Sequence, residues 1–200
     1  MSGVSESKAL EEICKTMQHS VTSFFVKSSN EFDTAINYIA TIDDYVDDED
    51  EKEQICIHIS CHGNNDGLAL GKDFLMWEEV ANSLLPLLKL QRLKKPIYLA
   101  ISACGTDNQK ISSAIRKIFN KEKIKPPKFI FVINQKEVGW NDALLNWTIL
   151  YHQIDYLNGA EDLRDLLTRI VESGFGKLKY YRWDVLNKKY FTFYGEKVRN

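Results

Sequence analysis

The chain has 200 residues, of which 44% are hydrophobic and 27% are charged, and its formal net charge is −2. This length is enough for one substantial globular domain that needs no disulfide or metal to hold it together. The nearly balanced charge argues against nucleic-acid binding as the main function. No apolar run reaches the roughly 18–20 residues that a membrane-spanning helix requires.

The cysteines and the amino-terminal sequence indicate the compartment. MSGVSESKALEE is polar and charged and lacks the apolar core of a secretory signal. We therefore expect a cytoplasmic protein whose cysteines are reduced thiols. There are four of them: Cys14, Cys56, Cys61 and Cys104.

The first half of the chain alternates apolar strands with amphipathic helices. In chain order, the predicted elements are a helix over 7–18, a strand over 21–26, a helix over 31–42, a strand over 54–60 and a helix over 76–90. Eight of the eleven residues at 43–53 are acidic, which is typical of a solvated loop and leaves a partner-binding segment as the alternative. The Gly/Asn-rich sequence GNNDGLALGKDF has room for a small hairpin, and Pro86 is expected to bend or end its helix.

The second half continues the alternation. Its predicted elements are a strand over 96–102, a helix over 107–119, a strand over 125–134, helices over 139–157 and 160–173, and strands over 178–183 and 189–195. This order predicts a single α/β domain over 1–200, with a mostly parallel sheet and helices on both faces, which is a three-layer sandwich. In such sheets, ligands bind beyond the carboxyl ends of the strands.

Two consecutive predicted strands end in the residue types of a thiol nucleophile and its base. His62 follows the strand over 54–60, and Cys104 follows the strand over 96–102. Neighbouring strands lie about 4.8 Å apart, and sequential strands are neighbours about two-thirds of the time. A nearby imidazole and a helix amino terminus both favour the thiolate. The amides of Gly63 and Cys104 are expected to face the oxyanion of an acyl transfer.

Each of these residues also has a purely structural interpretation. A free cysteine is most often a small buried hydrophobe, and His62 would then be a hydrogen-bonded loop residue. Cys56, His58, Cys61 and His62 lie within seven residues, which raises the alternative of a metal site. We expect no metal, because no CxxC pair is present and because Cys56 and His58 share a strand face with Ser60, from which they do not easily converge with Cys61 and His62 in the loop. Cys61, beside the predicted base, is the alternative reactive thiol.

The segments HISCHG and ISACGT resemble the His-Gly and Ala-Cys motifs of the caspase-like superfamily of cysteine peptidases, and most closely those of its CHAT branch. The resemblance covers about residues 20–158 and includes KEVGWNDALLNWTILYHQ, which is similar to the aromatic-rich helix of that branch. It implies a caspase–haemoglobinase fold and endopeptidase activity without a cofactor. On this resemblance Cys104 is the nucleophile, His62 is the general base, and Gly63 with Cys104 donates to the oxyanion.

The match departs from the caspase signature at two positions. Ser102 stands where caspases have Gln, and Thr106 stands where they have a second Gly, so aspartate specificity is not implied. Asp107, Gln135 and Trp140 are candidate pocket residues; Asp107 would either bind a basic substrate side chain or cap a helix.

The resemblance also implies partners. We expect a protein substrate. We also expect a protein partner that activates the chain, as part of a bacterial antiviral defence or cell-death system. A non-catalytic protein-binding module on the same fold is the alternative function.

Overall fold

The computed structural model describes residues 6–42, 55–90, 97–106, 108–133, 135–154, 160–174 and 177–195. The acidic run at 43–53 and Asp107 lie outside the described residues. The elements, in chain order, are α1 (Glu6–Thr16), α2 (Ser29–Ile42), β1 (Cys56–Ser60), β2 (His62–Asn64), β3 (Gly67–Leu70), β4 (Asp73–Met76), α3 (Trp77–Ser83), α4 (Leu85–Leu88), β5 (Tyr98–Ser102), α5 (Lys110–Phe119), β6 (Phe129–Ile133), α6 (Trp140–Gln153), α7 (Ala160–Glu172), β7 (Leu178–Asp184) and β8 (Lys189–Tyr194).

The main sheet has five strands in the order β1-β5-β6-β7-β8. β1 pairs with β5, and β5 with β6, in parallel; β6 with β7, and β7 with β8, are antiparallel. It follows that β1, β5, β6 and β8 run in one direction and that β7 alone among these strands is reversed. The prediction of an α/β chain with a mostly parallel sheet is therefore confirmed.

Helices pack on both faces of this sheet because its strands are apolar on both faces. Ile57, Ile59 and Leu99 point into a core shared with α2, α3, α4 and α5. The alternate positions, among them Ala100 and Phe131, point into a second core shared with α1, α6 and α7. This arrangement is compatible with a three-layer α/β fold. No helix within the described residues is both long and apolar enough to cross a membrane.

The prediction of a strand over 21–26 is wrong. This segment has no regular secondary structure, and Phe24 and Phe25 are 41% and 85% exposed. Its β-branched and aromatic composition is not sufficient for a strand, because strand propensity depends on packing against a partner strand. The segment crosses the surface instead, and the Lys27 carbonyl at its end accepts a hydrogen bond of 3.4 Å from the Lys72 amide.

Of three other predicted segments, two differ from the predictions and one divides as expected. The loop after residue 60 forms a three-stranded antiparallel sheet, β2-β3-β4, so His62 begins a strand. The helix predicted over 76–90 divides into α3 and α4 with Pro86 in the first turn of α4, as its proline predicted. The helix after Cys104 begins at Lys110, three residues later than predicted, with Gln109 rather than Asp107 at the N-cap.

Candidate active site

The carboxyl ends of β1 and β5 lie side by side, as their order along the chain predicted. Ser60 and Ser102 are register partners in the last pair of the ladder, and the Cys61 amide donates a 3.1 Å hydrogen bond to the Ser102 carbonyl. His62 and Cys104 each follow this pair by two residues. The structure therefore brings the two segments to the same edge of the sheet at matched positions.

Two glycines allow the segments to touch backbone to backbone. A Cβ atom at Gly63 would lie 3.0 Å from Ala103 Cβ and 3.2 Å from the Cys104 carbonyl oxygen. A Cβ atom at Gly105 would lie 2.9 Å from the carbonyl carbon of Asn64. The absence of side chains at both positions permits this approach. Gly63 is thus placed against Cys104, and oxyanion donation by the two amides stays a prediction.

Asn108 ties the segment that follows Cys104 to the segment that follows His62. Its Nδ2 donates to the Gly105 carbonyl at 2.8 Å and to the Asn65 carbonyl at 3.3 Å. The Asn65 carbonyl also accepts a 3.0 Å bond from the indole N–H of Trp77. These bonds give the two segments a defined relative position, which a catalytic pair requires.

The structure describes two of the three candidate pocket residues and brings one of them, Trp140, against His62. The Trp140 ring lies edge-on to the His62 ring, with 5.7 Å between the centroids and 64° between the planes, and it is 45% exposed. Gln135 is half-buried two residues beyond β6. Asp107 lies outside the described residues. His62 itself is exposed and Cys104 is half-buried, so the edge of the sheet is open to a substrate.

The other thiols are in environments that suppress their reactivity. Burial, followed by the negative charge of Glu6, raises the pKa of Cys61 to about 12. Burial also raises the pKa of Cys56 to about 12 and raises the pKa of Cys14. A thiol with so high a pKa holds little thiolate at neutral pH and is a poor nucleophile. Cys61, the alternative reactive thiol, is therefore disfavoured.

The residues that raised the alternative of a metal site point to opposite sides of the sheet. Cys56 packs in the core shared with α1 and α6, and the ring of His58 lies 5.0 Å from that of Trp147 on the same side. Cys61 packs against the core on the other face. Across the described parts of the chain, no group of three or more His, Cys, Asp and Glu residues is placed to hold a metal ion.

A buried polar cluster beneath the strand ends was missed by the sequence analysis. Glu6, which is 5% exposed, accepts hydrogen bonds from the hydroxyls of Ser60 and Ser102. Next to it, His58 Nδ1 lies 2.8 Å from the Tyr151 hydroxyl. Glu6 gave no signal because an acidic residue in the first turn of a helix is ordinary.

Comparisons with known proteins do not assign the chain to a family. No protein-family model matches it, and no curated protein matches it significantly. A functional proposal for this chain therefore depends on its motifs and on the geometry of the sheet edge.

Replacing Gly105 by alanine is expected to lower the free energy of unfolding by about 2–3 kcal/mol. Gly105 has a φ of 67°, and the added Cβ would also press on the Asn64 backbone. A left-handed backbone costs an alanine about 1–2 kcal/mol by itself, and the contact adds to that. Urea unfolding gives the measurement.

Gly174→Ala is the matched control for this substitution. Gly174 has a φ of 80°, but among the described residues no atom lies within 4 Å of the Cβ position. It therefore reports the conformational cost alone. Equal destabilisation by the two substitutions would contradict a close approach between the segments that follow His62 and Cys104.

Proposed function

We propose that the protein is a cysteine endopeptidase with a caspase-like fold of the CHAT type, in which Cys104 is the nucleophile and His62 is the general base. The observation that carries the proposal is the matched position of the two residues beyond the last pair of two adjacent parallel strands. The close packing of Gly63 against Cys104 supports it. So does the high pKa of the competing thiol, Cys61.

The reaction begins when His62 takes the proton of the Cys104 thiol and the thiolate attacks the scissile carbonyl carbon. The Gly63 and Cys104 amides stabilise the resulting oxyanion. As the C–N bond breaks, the His62 imidazolium protonates the leaving amine, and a thioester remains on Cys104. His62 then removes a proton from water, the hydroxide attacks the thioester, and the C–S bond breaks to release the acid product. The His62 imidazolium returns its proton to the Cys104 sulfur, which restores the thiol.

Trp140 has a defined place in this scheme. Its ring edge against the imidazole limits the orientations of an otherwise exposed histidine. Edge-to-face aromatic contacts contribute about 0.5–1.5 kcal/mol. We therefore assign Trp140 a double role, orienting His62 and forming a wall of the substrate site.

The substrate is a protein, and in this proposal the chain is a cytoplasmic effector that a partner protein activates in a bacterial defence or cell-death system. The alternative, a protein-binding module without catalysis, is favoured by large apolar side chains in contact with solvent. Leu186 is 92% exposed at the turn between β7 and β8, and Phe25 is 85% exposed. Single exposed apolar residues are common on soluble proteins, so we rank this alternative second.

Covalent labelling tests the proposal directly. The purified chain is incubated at pH 7 with capped peptidyl acyloxymethyl ketones that differ in the residue before the reactive group, and the adduct is mapped by peptide mass spectrometry. We expect one adduct, at Cys104, and its loss in His62→Ala. Cys61 should stay unlabelled, because a pKa of about 12 instead of 9.0 lowers its thiolate fraction about a thousandfold. An adduct at Cys61 in place of Cys104, or labelling of Cys104 that is unchanged in His62→Ala, would contradict the proposal.

A further inference from the structure

The Glu6 carboxylate joins the ends of the two strands that carry His62 and Cys104. Its Oε2 accepts a 3.2 Å hydrogen bond from Ser60 Oγ and a 3.0 Å hydrogen bond from Ser102 Oγ. These serines are register partners in the last pair of β1 and β5. A single oxygen atom therefore bridges the two strands just before they enter the proposed catalytic segments.

The Glu6 carboxylate is buried, and burying a charged group is energetically unfavourable. The Glu6 side chain is 1% exposed, and an ion removed from water loses its solvation unless hydrogen bonds replace it. Its second oxygen lies 3.5 Å from His58 Nε2, longer than a well-formed hydrogen bond. Among the described residues, the two serine hydroxyls are therefore the closest hydrogen-bond partners of this carboxylate.

α1 brings Glu6 to this position. Leu10 and Cys14 on α1 are buried in the core that also contains Trp147 and Tyr151 of α6. α6 begins with Trp140, whose ring lies against His62. The layer formed by α1 and α6 thus contacts His62 through Trp140, and it contacts the ends of β1 and β5 through Glu6.

We propose that Glu6 is a positioning residue for the Cys104–His62 pair: by bridging Ser60 and Ser102, it sets the spacing at which His62 takes the proton from Cys104. This inference rests on the proposed peptidase function. Reaction rates depend steeply on such spacing, since a misplacement of about 1 Å can reduce a rate about a hundredfold.

The experiment compares Glu6→Met with Glu6→Gln in the full chain. Methionine keeps the bulk and the helix propensity but cannot bridge the hydroxyls, whereas the glutamine amide oxygen accepts the same two bonds. The measurement is the rate of Cys104 alkylation by iodoacetamide between pH 5 and pH 9, which is independent of substrate preference. We expect Glu6→Met to slow alkylation at pH 7 about tenfold or more, and Glu6→Gln to stay within about threefold of the wild type.

A His62→Ala background separates positioning from a general structural effect. If Glu6 acts through His62, Glu6→Met slows alkylation no further once His62 is absent, because residues that act as a unit are not additive. Urea unfolding reports whether each variant is folded. Should Glu6→Met not fold, the triple variant Glu6→Met, Ser60→Ala and Ser102→Ala removes the bridge without leaving unpaired hydroxyls.

Two results would overturn the role of Glu6. One is wild-type alkylation kinetics in a folded variant that lacks the bridge, and the other is an equal slowing with and without His62. If His62→Ala alone leaves the alkylation of Cys104 unchanged, the proposed peptidase chemistry fails instead. The two failures are therefore distinguishable.

Discussion

Cys104→Ala is expected to lower kcat/KM for peptide cleavage by about 10⁴-fold or more, because no other group can form the thioester. His62→Ala is expected to lower it by about 10²–10⁴-fold, the usual contribution of a general base. The double variant should be no worse than Cys104→Ala, because the two residues act in the same step of the proposed mechanism. The measurement uses the peptide that the wild type cleaves fastest in a substrate library.

Cys61→Ala is the matched control. Cys61 also follows a strand at the same edge and lies next to His62 in the chain, but burial holds its pKa at about 12. Its replacement should leave kcat/KM within about twofold of the wild type, as expected for a residue outside the reaction. Activity lost in Cys61→Ala and retained in Cys104→Ala would assign the nucleophile to Cys61.

Trp147→Ala is expected to lower the free energy of unfolding by about 3–5 kcal/mol. Trp147 is 0% exposed, and its ring lies 5.0 Å from the His58 ring and 6.4 Å from the Tyr151 ring. Its removal leaves a cavity between α6 and β1 that neighbouring side chains can fill only in part. Urea unfolding with fluorescence and circular dichroism measures the loss.

The same helix offers a control of the same residue type. Trp140 is the first residue of α6 and is 45% exposed, so Trp140→Ala should lower the free energy of unfolding by no more than about 1.5 kcal/mol, the upper value for the lost ring contact with His62. Its effect should be on kcat/KM instead, severalfold downward, because the ring contact with His62 is lost. Equal destabilisation by the two substitutions would contradict the placement of Trp147 in the core and Trp140 at the site.

The sheet edge with its His and Cys residues was predictable because the signals are local. Short apolar runs ending at Ser60 and Ser102 indicated buried strands, and chain order indicated that they are neighbours. The prediction of a strand over 21–26 failed because the segment has the composition of a strand but no partner strand among the described residues. Phe25 faces solvent, and the amino-acid composition of a segment does not indicate whether a partner strand lies beside it.

The bridge by Glu6 was not predictable from the sequence for a different reason. Its significance depends on residues 54 and 96 positions further along the chain. The helix predicted from the sequence begins at residue 7, so Glu6 lay just outside it, and nothing in the sequence shows which part of the sheet the first turn covers. The sequence predicted that Trp140 and His62 lie at the same edge of the sheet. It did not predict that their rings are in contact.

The wide sequence separation across the α1–α6 layer also bears on the order of folding. Glu6 contacts Ser102 across 96 positions, and the His19 ring contacts the Tyr151 carbonyl across 132. Closing longer loops costs more entropy, so such contacts form after local ones. During synthesis, β1 and β5 are both available before α6 has left the ribosome. A nascent chain therefore presents the Cys104 thiol before α6 can pack against the sheet.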